Sequence, residues 1–193
     1  VMAVTVVLTS GVALAVNKVG TNGPDTHKGT NGDDNLEGRG GNDDLFGLSG
    51  SDNLLGGPGK DNVLGGDERR ASRGDKNLVG GPGNDRVAGG RGSDNIVGEE
   101  GNDLLIDGTL REFSKDSLSG GAGDDVIPAI NSPAFGDVVT CGGGFDRVLA
   151  DRKDEVAPDC ERVFVGLAAQ GKFFQSIPLS FFEGLPPIPG PEG

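Results

Sequence analysis

Tryptophan and tyrosine are absent from this 193-residue chain, histidine and methionine occur once each, and cysteine occurs twice. Each shortage removes a class of function. Without Trp or Tyr, a sugar-binding platform of stacked rings is hard to build. With His27 as the single histidine, a three-histidine zinc centre is impossible, and a Ser-His-Asp triad would hang on one linker residue that is expected to be solvated. Basic residues are also short, 17 against 30 acidic ones, for a formal charge of -13. That balance argues against nucleic acid and anionic membrane surfaces as partners and makes cations the natural ones. The one long apolar run, Val1 to Val16, falls short of the ~20 residues that a spanning helix needs. Ala13-Leu14-Ala15 has the small-x-small form that signal peptidase reads, so residues 1–15 are expected to be the remnant of an export signal, with a buried first strand or cap as the alternative. Two cysteines in an exported chain then read as one disulfide, Cys141–Cys160, against the alternative of two separate thiols.

What is abundant is glycine, with 37 residues, and it is periodic. From Gly29 the chain reads GTNGDDNLE, GRGGNDDLF, GLSGSDNLL and GGPGKDNVL without a gap, and from Gly80 it reads GGPGNDRVA, GGRGSDNIV and GEEGNDLLI. Gly fills positions one and four, Asp fills position six and an aliphatic residue fills position eight, the mark of a repeat architecture rather than a disordered linker. Two glycines permit positive φ, so the first six residues are expected to fold back as a turn. Positions seven to nine then form a short strand whose alternation sends position eight alone into the core. Two blocks make one coil of about 18 residues, and coils stack at about 4.8 Å. Position-six carboxylates 18 residues apart would therefore repel, unless a calcium ion, with oxygen distances of about 2.3 to 2.6 Å, sits between them.

These blocks resemble the hemolysin-type, or RTX, nonapeptide G-G-x-G-x-D-x-U-x, over residues 29 to 149. The resemblance implies an all-β, right-handed parallel β-roll that takes Ca2+ in its turns. It also implies the ligands: side chains at position six, Asp34, Asp43, Asp52, Asp61, Asp85, Asp94, Asp103, Asp116, Asp125, Asp137 and Asp146, with carbonyls of glycine turns such as Gly38, Gly41, Gly56, Gly59, Gly80, Gly83, Gly98 and Gly101. It does not imply a toxin, because the motif decorates proteins of many activities.

Allowing for insertions, twelve blocks are expected, and the three long ones are the fifth, ninth and eleventh, all on one side of the roll. The even side keeps Asp43, Asp61, Asp85, Asp103, Asp125 and Asp146 in one stack. The odd side reads as damaged. Lys76 stands where its fifth-block carboxylate belongs, and Asp75 would serve only by a one-residue shift that turns Leu78 off the core. The ninth and eleventh blocks lack a full glycine turn. Residues 16–28 read as a linker, 150–163 as a disulfide-linked C-terminal cap, and 164–193 as a Phe/Pro-rich tail carrying five of the nine phenylalanines. Position nine is apolar in Leu55, Leu64, Val79, Ala88, Val97 and Ile106, an outward row that calls for cover. Phe173, Phe174, Phe181 and Phe182 of the tail are expected to cover it on one sheet; a cell-surface or protein partner is the alternative.

Apparent catalytic motifs dissolve into the repeat. GGPGK at Gly56 to Lys60 lacks the Ser or Thr of a phosphate loop, no twelve-residue EF-hand loop ends in Glu, and the Asp124–Asp125 pair is explained by its block. The sequence thus reads as a non-enzymatic calcium-binding protein, secreted or at the cell surface, with no membrane span in the mature chain. Its task is structural or adhesive, or else that of an accessory domain for an extracellular hydrolase.

Overall fold

The structure, a computed structural model, describes residues 14–67, 74–75, 77–108, 114–131, 136–166 and 170–186. Short strands recur wherever an aliphatic residue sits between polar neighbours. In chain order they are β1 (Asn17–Val19), β2 (Thr26–Lys28), β3 (Asn35–Glu37), β4 (Asp44–Leu48), β5 (Asn53–Leu55), β6 (Asn62–Asp67), β7 (Asn77–Pro82), β8 (Arg86–Arg91), β9 (Asn95–Glu100), β10 (Leu104–Gly108), β11 (Ser117–Ala122), β12 (Val126–Ala129), β13 (Val138–Gly143), β14 (Arg147–Ala150), β15 (Glu155–Val156) and β16 (Arg162–Val165). Odd-numbered strands form one eight-stranded sheet and even-numbered strands the other, with parallel pairing throughout. The chain alternates between the sheets at every turn, which makes the molecule a parallel β-solenoid.

The register follows from position eight. Leu36 pairs with Leu54, Leu54 with Leu78, and Leu45 with Val63, so each inward side chain lies on the one 18 or more residues away. All twelve expected core residues, from Leu36 through Val148, are buried in one column, and burial of each aliphatic side chain contributes about 1.5–3 kcal/mol. The three long connections, at 68–73, 109–113 and 132–135, fall outside the described residues; their flanks place each between an even strand and the next odd one.

A count of twelve repeats is too short. Each sheet holds eight strands, which is seven strand-to-strand steps and about seven turns of solenoid. The reason is that stacking requires a backbone ladder and an inward side chain, not a glycine-aspartate turn. β1 and β2 precede the first nonapeptide and β15 and β16 follow the last, and all four pair in register. Lys18 is set opposite Leu36 and His27 opposite Leu45, so His27 is half-buried with Nε2 shut off from solvent, not solvated as a linker residue would be. Residues 1–13, most of the expected export signal, lie outside the described residues; Val16 donates its N–H to Asp34 Oδ1 at 2.6 Å.

The cysteines form a disulfide, Cys141–Cys160, with Cα atoms 5.2 Å apart. It joins β13 to the turn between β15 and β16, and Cys141 belongs to the core column. The tail forms two short helices, α1 (Gln170–Ser176) and α2 (Leu179–Gly184). Phe173, Ile177, Phe181 and Leu185 bury themselves against Val126, Ile130 and Leu149 on the outer face of the even sheet, with Leu104 and Phe164 at the edge. Phe164 and Phe173 meet edge to face at 5.7 Å. The tail thus packs on one sheet, but on Val126, Ile130 and Leu149 rather than on the expected row of Leu55, Leu64, Val79, Ala88, Val97 and Ile106, none of which belongs to that cluster; the side chains of Phe174 and Phe182 lie outside the described residues. Among the described residues no helix is long and apolar enough to cross a membrane.

Candidate metal centre

Position six points into the turn because it precedes the inward position eight by two residues, at the point where the strand begins. There the carboxylates form two ladders. On the even side the backbone N–H of Asp25 donates to Asp43 Oδ1, Asp43 to Asp61, Asp61 to Asp85, Asp85 to Asp103, Asp103 to Asp125 and Asp125 to Asp146, each at 2.8 Å, and Asp146 donates to Glu161 Oε2 at 2.9 Å. On the odd side the same bond runs from Asp34 to Asp52, Asp75, Asp94, Asp116, Asp137 and finally Asp154, at 2.6 to 3.1 Å. One oxygen of each carboxylate thus satisfies a buried amide of the coil before it.

The odd ladder corrects the expected damage at the fifth block. Asp75 occupies the slot, buried, between Asp52 and Asp94, while Leu78 stays in the core. The sequence places three residues from Asp75 to Leu78 in place of the usual two, and the extra residue lets both side chains keep their places. Lys76 itself lies outside the described residues.

The second oxygen is left over. Oδ2 of Asp43, Asp61, Asp85, Asp103, Asp125 and Asp146 on the even side, and of Asp75 and Asp116 on the odd side, is buried with no hydrogen-bond partner. For Asp43, Asp61, Asp75, Asp103 and Asp125, what faces it is the first glycine of its own block and a carbonyl of the next coil. A Cβ on Gly56 would stand 2.5 Å from both Asp61 Oδ2 and the Gly80 carbonyl oxygen, and Gly38, Gly80 and Gly98 are packed against Asp43, Asp85 and Asp103 in the same way. The Gly80 carbonyl accepts the Gly57 N–H at 2.9 Å and keeps a second lone pair. Carboxylate and carbonyl oxygens thus converge in room that only glycine leaves open.

The glycines divide their work differently from the expectation of positive φ at positions one and four. Position four does use it, as in Gly41, Gly83 and Gly101, but position one does not; its glycine is required by the close approach just described. The other left-handed position is two, where Arg39, Leu48 and Glu99 take positive φ without being glycine. A further ladder at position five was not foreseen. Asn42 Oδ1 accepts the Lys60 N–H, Asn84 accepts Asn102, Asn102 accepts Asp124 and Asp124 accepts Phe145, at 2.8 to 3.0 Å. The Asn and Asp residues at that position were its visible signal.

Burial without a counter-charge disfavours the ionised form. It pushes Asp61 and Asp103 up to about 7 and Asp85 and Asp125 up to about 8 from an ordinary 3.8, and on the odd side Asp75 reaches about 8 and Asp137 about 7. Hydrogen bonds from the stacked amides pull the other way, and neighbouring carboxylates in the ladders add to the rise in most of them. A hard divalent cation would reverse the balance, since all the available ligands are oxygen and the convergence of carboxylate with carbonyl suits calcium. The residues therefore fit the ion.

A parallel solenoid with stacked carboxylates in glycine turns defines a class of ion-dependent repeat proteins. The family model of the RTX calcium-binding nonapeptide repeat matches four copies, at residues 19–54, 38–68, 72–106 and 114–127, together about half of the chain, and the chain belongs to that family. Calcium binding is what membership implies. No curated protein and no solved structure is a significant match to the chain.

Proposed function

We propose that the chain is an exported protein that folds on calcium, holds the ions in the turns between successive coils, and serves as a structural or adhesive module at a cell surface, with no catalysis of its own. The observation that carries this reading is the row of buried Oδ2 atoms on the even side, each without a donor, with a backbone carbonyl of the next coil converging beside Asp43, Asp61, Asp103 and Asp125. The ligands on this reading are the position-six carboxylates, with Asp75 among them, and the carbonyls of the first glycines. A net charge of -13 opposes compaction until divalent ions bridge the ladders, so ion binding and folding become one event. Export is supported by the disulfide, which persists in oxidising compartments. A surface role is supported by the outer face of the odd sheet, where Val19 and Leu55 are exposed and Asn17, Asn35, Asn53, Asn77 and Asn95 line up at one strand position.

Circular dichroism of the full chain during a calcium titration tests it. The far-ultraviolet spectrum should be that of an unfolded chain in chelator and of β-structure in millimolar calcium, with magnesium a poor substitute because its smaller octahedral shell fits less well. Equal secondary structure with and without calcium would sink the proposal.

A further inference from the structure

The repeat lapses at Asp107, which stands at the first position of its block, where Gly56, Gly80, Gly98 and Gly120 stand in others. A side chain there is forced into the room beside the position-six carboxylate. Asp107 is accordingly 1% exposed, and its backbone carbonyl keeps the place of a first-glycine carbonyl against Gly89. Asp107, Asp116 and Asp137 each offer a carboxylate oxygen, and these atoms all lie within 4.8 Å of one another. They come from three places along the chain: the end of β10, the start of β11 and the start of β13.

A second observation separates this cluster from a chance gathering of acids. Neither oxygen of Asp107 receives a hydrogen bond, nor does Oδ2 of Asp116, nor Oδ2 of Asp151, which is 9% exposed. The Asn131 side chain donates to Asp137 Oδ2 at 2.9 Å, and both Asp116 and Asn131 lie near enough to Asp107 to ease its charge. The charges acting on the three carboxylates are themselves carboxylates: Asp94, Asp151, Asp154 and one another. Among the described residues, then, negative charge converges with no cationic side chain to answer it.

We propose that Asp107, Asp116 and Asp137 hold a calcium ion of their own, with Asp151 beside it, which clamps the last odd-side turns where the glycine-turn sites give out. Asp107 is the ligand that the nonapeptide does not supply. All the ligands on offer are oxygens, three of them from carboxylates, which suits a hard divalent cation such as calcium. Zinc, which prefers nitrogen and sulfur, finds neither, since both cysteines are in the disulfide. The site adds to the repeat sites and rests on that reading for Asp116 and Asp137.

The test is calcium bound per chain, measured by equilibrium dialysis and metal analysis on the full-length protein, for wild type, Asp107→Asn, Asp107→Gly and Asp85→Asn. Asp107→Gly restores the repeat residue and guards against a variant that merely misfolds. The expected result is one ion fewer in both Asp107 variants at low free calcium, with the calcium-induced change in circular dichroism retained. Asp85→Asn should lower the count through a repeat site and leave the Asp107 ion in place. If Asp85→Asn loses calcium while both Asp107 variants bind as many ions as wild type, the Asp107 site is refuted and the repeat sites stand. A wild type that binds no calcium overturns both.

Discussion

Replacing Gly56 with alanine isolates the role of the first glycine, because its backbone φ is not in the left-handed region and the substitution acts through space alone. The new Cβ would meet Asp61 Oδ2 and the Gly80 carbonyl oxygen at 2.5 Å each and Asp61 Cβ at 2.9 Å. Two of these belong to groups that cannot swing away: a carbonyl held in the Gly57 ladder and a carboxylate held by the Asp43 amide. Forcing a methyl group into such packing costs about 1–3 kcal/mol. Displacing the ion between the coils removes about 2.7 kcal/mol more at a calcium concentration one hundred times the dissociation constant. The sum, roughly 4–6 kcal/mol, is a large share of a typical stability and corresponds to a fall in Tm on the order of 10–20 °C for a chain of this size. Gly143→Ala is the matched control, since a Cβ there meets nothing within 4 Å. Thermal melts in saturating calcium, with titration calorimetry for the stoichiometry, read the effect. Equal Tm and equal ion count in Gly56→Ala and Gly143→Ala would refute the claim that the first glycine makes room for the site.

Asp75→Ala should destabilise the calcium-bound roll by about 1–3 kcal/mol, because the Asp52 amide loses its acceptor, whereas Lys76→Ala should cost nothing in melts; the reverse order would return the fifth-block slot to Lys76. In chelator, structure should depend on pH in a stated direction. Asp61, Asp85, Asp103 and Asp125 have folded pKa values of about 7 to 8 against 3.8, so the stabilisation is complete below about pH 3.8 and is lost as pH rises through 7 to 8. Circular dichroism without calcium should therefore show more β-structure near pH 4 than at pH 8.5, and in calcium the folding midpoint should move to higher calcium as pH falls below 7, because protons compete for the same oxygens. Deleting residues 170–193 should expose Val126 and Leu149 and raise dye binding or self-association in calcium, and a truncated chain that stays monomeric and binds no more dye would contradict the packing of Phe173 and Phe181.

The sequence by itself determined the parallel solenoid and most of the stacking of its carboxylates, because both are periodic. Leu36 and Leu54 had to face the core and Asp43 and Asp61 had to stack once nine residues made one turn and strand, and chemistry that repeats can be read from spacing alone. Tertiary structure decided what breaks the period. Asp75 rather than Lys76 fills the fifth-block slot because the extra residue between Asp75 and Leu78 is accommodated there, which a rule of fixed offsets cannot see. β1 and β2 continue the sheets because the backbone ladder extends past the glycine-aspartate turns whatever residue stands opposite Leu36 and Leu45, and at that end Lys18 is exposed and His27 half-buried. The first glycine is required by a carbonyl of the next coil, about 18 to 24 residues away in sequence, and Asp107 joins Asp116 and Asp137 only because coiling brings three turns to one place. Such contacts are set by stacking distance, and no local pattern encodes it.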